Sequence, residues 1–89
     1  MLDRQDVHTI VLSTLTELLA ESGSTQRPEE SHALADTGLG SLLLARLLIM
    51  LELETGVDPF AEDLLISDVR TVGDLVDAYH AAMTVSIAI

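Results

Sequence analysis

The sequence predicts an all-α fold, a small four-helix bundle of three long helices and one short third helix. Three observations carry this. The 89-residue chain is 48% hydrophobic yet has only Phe60 and Tyr79 as aromatics, so its core must be built from Leu, Ile, Val and Met, as in packed helices. Apolar residues recur with i, i+3, i+4 spacing in three separate stretches. The breaks between those stretches are marked by Gly23, Pro28, Gly38, Gly40, Gly56 and Pro59.

From Asp3 to about Glu21, Val7, Ile10, Val11, Leu15, Leu18 and Leu19 form one helical face. Arg4, His8, Ser13, Glu17 and Glu21 fall on the opposite, solvent-directed face, and Gly23 supplies a stop. Residues 22–40 then read as a long loop, beyond the usual connection length, with Leu34 and Leu39 as its anchors on the core. A second helix is expected from Ser41 to roughly Thr55, ended by Gly56 and Asp58-Pro59. At 100° per residue, Leu44, Leu47, Leu48 and Leu51 make its core face. Its other side carries Leu42, Ala45, Arg46, Ile49 and Leu53, which is apolar except for Arg46.

The connector from Asp58 to Arg70 should hold the short helical turn, around Glu62 to Ile66, with Leu64, Leu65 and Ile66 plugging the bundle. The last helix has a marked start, with Thr71 as N-cap and Asp74 three residues on in the manner of a capping box. Val72, Leu75, Val76 and Tyr79 form its buried stripe, and Asp77 points outward. Residues 1–83 therefore form one domain. Residues 84–89, alternating and β-branched, have no obvious place in a helical bundle and read as a terminal tail.

Composition excludes several functions. A net charge of −11, from 15 acidic against 4 basic residues, leaves no cationic surface for nucleic-acid phosphates and favours basic protein partners. Without cysteine there is no disulfide framework or thiolate metal site. The longest apolar segment, Leu42 to Leu51, is broken by Arg46 and is about half the roughly 20 residues a membrane span needs. The N-terminus lacks the apolar run of a signal peptide, so the expectation is a cytoplasmic monomer with no membrane contact.

Catalytic patterns are missing as well. His8, His32 and His80 belong to three different elements without metal-ligand spacing, and each reads as a surface histidine. Asp58 to Asp63 lacks the alternate ligands and central glycine of a calcium loop. Gly38-Leu39-Gly40-Ser41-Leu42 is not a Gly-x-Ser-x-Gly elbow, and neither a preceding strand nor a following lysine supports a nucleotide loop. What remains is Ser41 at the junction of loop and helix, where a hydroxyl either caps the helix or is displayed for modification by another protein.

The run Leu34-x-Asp36-x-Gly38-Leu39-x-Ser41-Leu42 resembles the phosphopantetheine attachment motif of the acyl carrier protein family, commonly Leu-x-Asp-Leu-Gly-Leu-Asp-Ser-Leu. The likeness continues through Leu51-Glu52-x-Glu54-x-Gly56 and Thr71-Val72-Gly73-Asp74-Leu75, and so covers nearly the whole chain. The resemblance implies a non-enzymatic carrier whose Ser41 is esterified by a phosphopantetheinyl transferase with the 4'-phosphopantetheine arm of coenzyme A. Gly40 and Leu42 would flank the attachment point. Acyltransferases or ligases, ketosynthases and other pathway enzymes would be the later partners.

Two departures from the family pattern matter. Gly40 stands where an Asp usually precedes the serine, which should slow modification or make it more selective. Helix two's outward side, usually acidic, is here the stripe Leu42, Ala45, Arg46, Ile49 and Leu53, expected to dock partners by hydrophobic contact as in a specialised polyketide or related pathway. A peptidyl carrier is the first alternative, and Gly38-Leu39 in place of Gly-Gly argues against it. An unmodified helical adaptor binding through helix two is the second.

Overall fold

The computed structural model describes residues 3–60 and 68–88, with side chains through Met83. Its described helices are α1 (Arg4–Glu21), a 3₁₀ turn (Leu34–Thr37), α2 (Ser41–Thr55) and α3 (Val72–Ala88). The expected short helix around Glu62 to Ile66, with its three apolar plugs, lies outside the described residues, and α3 is the expected last helix.

Helix ends follow local chemistry. Asp3 caps α1 by accepting from Asp6 N at 2.9 Å, while Asp6 Oδ2 accepts from Asp3 N at 3.2 Å, a reciprocal capping box. Thr71 and Asp74 repeat the device at α3, Thr71 Oγ1 accepting from Asp74 N at 3.0 Å and Asp74 Oδ2 from Thr71 N at 3.1 Å. The backbone N–H groups of Thr71 and Arg70 hold the Asp74 carboxyl below the usual carboxylate range. α2 closes at Gly56, whose left-handed φ of 76° brings its N–H within 2.8 Å of the Glu52 carbonyl.

The core is aliphatic, as composition required. α1 buries Val7, Val11, Leu15, Leu18 and Leu19, and packs against both other helices. α2 contributes Leu47 and Leu51, with Leu44 and Leu48 packed at the margin, and α3 contributes Val72, Leu75, Val76, Tyr79 and Met83. Truncating one such leucine to alanine should cost about 2–5 kcal/mol. The Phe60 and Tyr79 rings meet edge to face at 6.3 Å, and the Tyr79 hydroxyl donates to the Leu48 carbonyl at 3.4 Å.

Two sequence readings need correction. The segment after Met83 was expected as a tail distinct from the bundle, but the α3 backbone continues through Ala88. No Gly or Pro lies there, and a β-branched residue loses only tenths of a kcal/mol in a helix, so alternation alone does not stop it.

The second correction concerns α1's solvent face. Arg4 and His8, though still 42% and 33% exposed, are both paired with the long loop, and Arg4 with α3 as well. Arg4 donates to both Glu30 carboxylate oxygens, at 2.6 and 3.2 Å, and to Asp77 Oδ1 at 2.8 Å, while His8 Nδ1 meets Glu30 Oε2. His8 is therefore an anchor, not a plain surface histidine. Glu30 also gives its backbone carbonyl to Gly73 N at 2.9 Å, and a Cβ on Gly73 would lie only 3.1–3.3 Å from Glu30 atoms, so the glycine permits the approach. The adjoining residues continue the seam, Val72 N donating to His32 O at 3.0 Å and Leu34 N to Arg70 O at 2.9 Å.

This seam gives a pH dependence. Hydrogen bonds from Arg4, and next from His8, hold the Glu30 carboxyl at about 2, below its ordinary 4.5. A depressed carboxylate contributes stability above its unfolded value, and that contribution is lost as pH falls toward the folded value. Glu30→Gln should lower stability at neutral pH by on the order of 1 kcal/mol, the scale of a partly exposed ion pair. Thermal melts of wild type and variant should differ at pH 7 and converge between pH ~5 and ~2.

Candidate functional site

Ser41 is the first residue of α2, and its position is set by the turn before it. Thr37 Oγ1, buried, donates to the Leu34 carbonyl at 2.6 Å and closes the 3₁₀ turn. Gly38 then takes a left-handed φ of 82°, a conformation that favours glycine, and reverses the chain. Leu34 is buried and Leu39 half-buried against the core, so both expected anchors flank the turn.

Gly40, not Ser41, is the N-cap of α2. Its extended backbone, φ −75° and ψ 170°, gives its carbonyl to Leu44 N at 2.9 Å, but it has no side chain to accept from the first turn. The capping role open to Ser41 on sequence grounds therefore falls to its neighbour. Ser41 is exposed, and its hydroxyl has no hydrogen-bond partner among the described residues.

The two other described helices show how unusual this is. α1 has its Asp3–Asp6 box, and α3 has Thr71 together with loop carbonyls on the N–H groups of Val72 and Gly73. α2 starts with no side-chain cap and no acid in its first turn. The free N–H groups and positive dipole end beside the Ser41 hydroxyl favour an anionic group there. Gly40 and Leu42 flank it in the open, and Asp36 is also exposed.

Downstream, α2's outward side is exposed along its length. Leu42 is 76% exposed, Ile49 59% and Leu53 80%, with Ala45 and Arg46 between them. Arg46 is not a free cation, because its guanidinium reaches back to Glu21 of α1 at 3.3 Å. Sequence reasoning did not find this partner, since the interhelical register that joins residues 21 and 46 leaves no local mark.

The other candidates come apart. His8 and His32 each pair with loop groups, His32 Nδ1 accepting from Glu29 N at 3.1 Å, and no group of three His, Cys, Asp or Glu among the described residues could hold a metal. No described helix is long and apolar enough to cross a membrane.

The model of the phosphopantetheine attachment site family matches residues 10–79, from Ile10 within α1 to Tyr79 in α3, and includes Gly38 to Leu42. No curated protein and no solved structure matches the chain. Members of that family are non-catalytic carriers that work with phosphopantetheinyl transferases and pathway enzymes. An open helix start with an exposed hydroxyl fits the covalent group concerned, and the chain belongs to the phosphopantetheine attachment site family, whose carrier domains bear 4'-phosphopantetheine.

Proposed function

We propose that this chain is an acyl carrier protein, its carrier domain spanning residues 1–83, with 4'-phosphopantetheine esterified to Ser41. The observation that supports this most is the exposed Ser41 hydroxyl, without a hydrogen-bond partner among the described residues, at the first residue of α2. The terminal thiol of the arm supplies the thioester chemistry that a cysteine-free chain cannot. The chain's own residues place and display the attachment point. Thr37 and Gly38 fix the approach of the backbone, Gly40 leaves it uncrowded, and the α2 dipole favours the anionic ester.

The acyl rather than peptidyl assignment rests on Leu39. Its side chain packs against the core, a contact that a second glycine after Gly38 would forfeit. The surface Leu42, Ala45, Arg46, Ile49 and Leu53 is proposed as the partner-docking face, and its apolar character supports a specialised polyketide or related pathway over general fatty-acid supply. Held on one carrier, the cargo meets successive enzymes at high effective concentration.

The direct test is intact mass after incubation with coenzyme A and a broad-specificity phosphopantetheinyl transferase. Wild type should gain one arm and Ser41→Ala none. A wild type unchanged with several transferases would leave the adaptor reading. Loading of the modified protein should proceed with acyl donors and fail with aminoacyl donors.

A second prediction concerns Gly40. Its φ of −75° suits any L-residue, and a Cβ there would meet nothing within 4 Å. Gly40→Asp should supply the missing cap and reduce unfolded-chain entropy, adding about 0.5–1 kcal/mol. Differential scanning calorimetry should show a melting temperature higher by roughly 3–6 °C, and arm transfer should quicken.

A further inference from the structure

Where the long loop runs beside α1 it leaves an open cleft of about 830 Å³, a size within the range of small-molecule sites. His8, Leu12 and Thr16 follow one another along the α1 wall at i, i+4 spacing, whereas Glu21 lies toward α2 and pairs with Arg46. The cleft has an apolar floor, with Leu12 half-buried and Pro28 buried. At its rim the Ser13 hydroxyl is exposed and has no hydrogen-bond partner among the described residues. Arg27 enters from the loop, and it differs from the other arginines. Arg4 is held by Glu30 and Asp77, and Arg46 by Glu21. Arg70 sits beside Asp74, whose carboxyl is held down by the Thr71 and Arg70 N–H groups and then by the Arg70 charge. Arg27 makes no ion pair or hydrogen bond among the described residues, in a chain with 15 acids. The two acids that line the cleft with it are engaged elsewhere. Glu30 is taken by Arg4 and His8, and Glu29 lies 3.9 Å from His32.

We propose that this cleft binds a small organic acid with an apolar body, its carboxylate taken by Arg27 and its chain laid against Leu12 and Pro28, with the Ser13 hydroxyl as a further donor at the rim. A guanidinium presents paired N–H groups that match a carboxylate in charge and geometry. At physiological salt the screening length is about 8 Å, so a ligand in the cleft senses Arg27 ahead of the distant acids. The field of a chain at −11 still opposes any anion, and burial of an apolar chain is what offsets it. Both halves of the ligand are therefore needed. An acidic protein segment would bring several carboxylates to a cleft lined by one arginine and two glutamates, setting like charges together. The free acids from which acyl thioesters are made belong to the class that fits. Ser41 is not part of this cleft, so the site does not depend on its modification.

The probe is hexanoate, titrated into the unmodified protein at neutral pH and followed by proton–nitrogen correlation spectra. The amides of Leu12, Ser13, Thr16 and Arg27 should shift together, with a dissociation constant on the order of 1 mM for a ligand of so few atoms. Hexanol, which keeps the chain, and acetate, which keeps the charge, should each bind more weakly by roughly fivefold or more. Arg27→Gln should weaken hexanoate roughly fivefold, the scale of one exposed charge pair, while Arg70→Gln alters net charge equally and should leave binding unchanged. Ser41→Ala should bind as wild type does, which keeps this result separate from that of arm transfer. Absence of saturable shifts would overturn the site, and so would hexanol binding as tightly as hexanoate. Equal losses in the two arginine variants would reduce the effect to net charge and overturn it as well. A glutamate-rich peptide that binds the same amides more tightly than hexanoate would reassign the cleft to a protein partner. Circular dichroism and melting of Arg27→Gln, a change at an exposed loop position, separate a lost ligand from a lost fold.

Discussion

The organising constraint is the seam between the long loop and the start of α3. An α-helix leaves its first N–H groups unpaired, and those of Val72 and Gly73 are answered by the carbonyls of His32 and Glu30. The same stretch supplies Leu34 N to the Arg70 carbonyl and the isolated bridge between Ala33 and Thr71. Glu30 adds the ionic half, reaching Arg4 and His8 on α1, while Arg4 continues to Asp77 on α3. One loop carboxylate therefore ties together the loop and the two helices that share most of the core. Apart from that tie, the connection between α1 and α2 is held by the buried Pro28, Leu34 and Thr37, the half-buried Leu39 and the backbone bonds of His32 and Leu34.

The same accounting separates the starts of α1 and α3 from that of α2. α1 and α3 answer their free donors from within, by Asp3 and by Thr71 with the loop carbonyls. α2 does not, although a capping side chain at position 40 would fit sterically. A glycine cap forgoes roughly a few tenths of a kcal/mol relative to Asp or Ser, in a small domain whose margin is modest. The donors left over lie beside the residue proposed to receive a phosphodiester, and they are the ones that an aspartate at position 40 would answer.

What the sequence made legible was local. Capping boxes, glycine stops and the apolar periods fall within a few residues of one another, and they fixed the start and end of α2 at Ser41 and Thr55 and the buried stripe of α3. The run from Leu34 to Leu42 is local in the same way, since it passes from the 3₁₀ turn through Gly38 and Gly40 into the first residues of α2. The rest depends on pairs far apart in the chain. Arg4 and Glu30 are 26 residues apart and Arg4 and Asp77 are 73 apart, and no spacing rule links them. The continuation of α3 to Ala88 was obscured differently, since alternating β-branched residues signal a strand only when another strand is available to pair with.

The α2 face shows how those two kinds of information combine. Its apolar side could be read from a helical wheel, but the wheel placed Arg46 there without its partner. Only the register of α1 against α2 reveals that Glu21 neutralises Arg46 and that Glu17 extends the face onto a second helix. With that cation paired, the charge this face presents depends on a contact between helices, while its apolar character is set by the sequence of α2 alone.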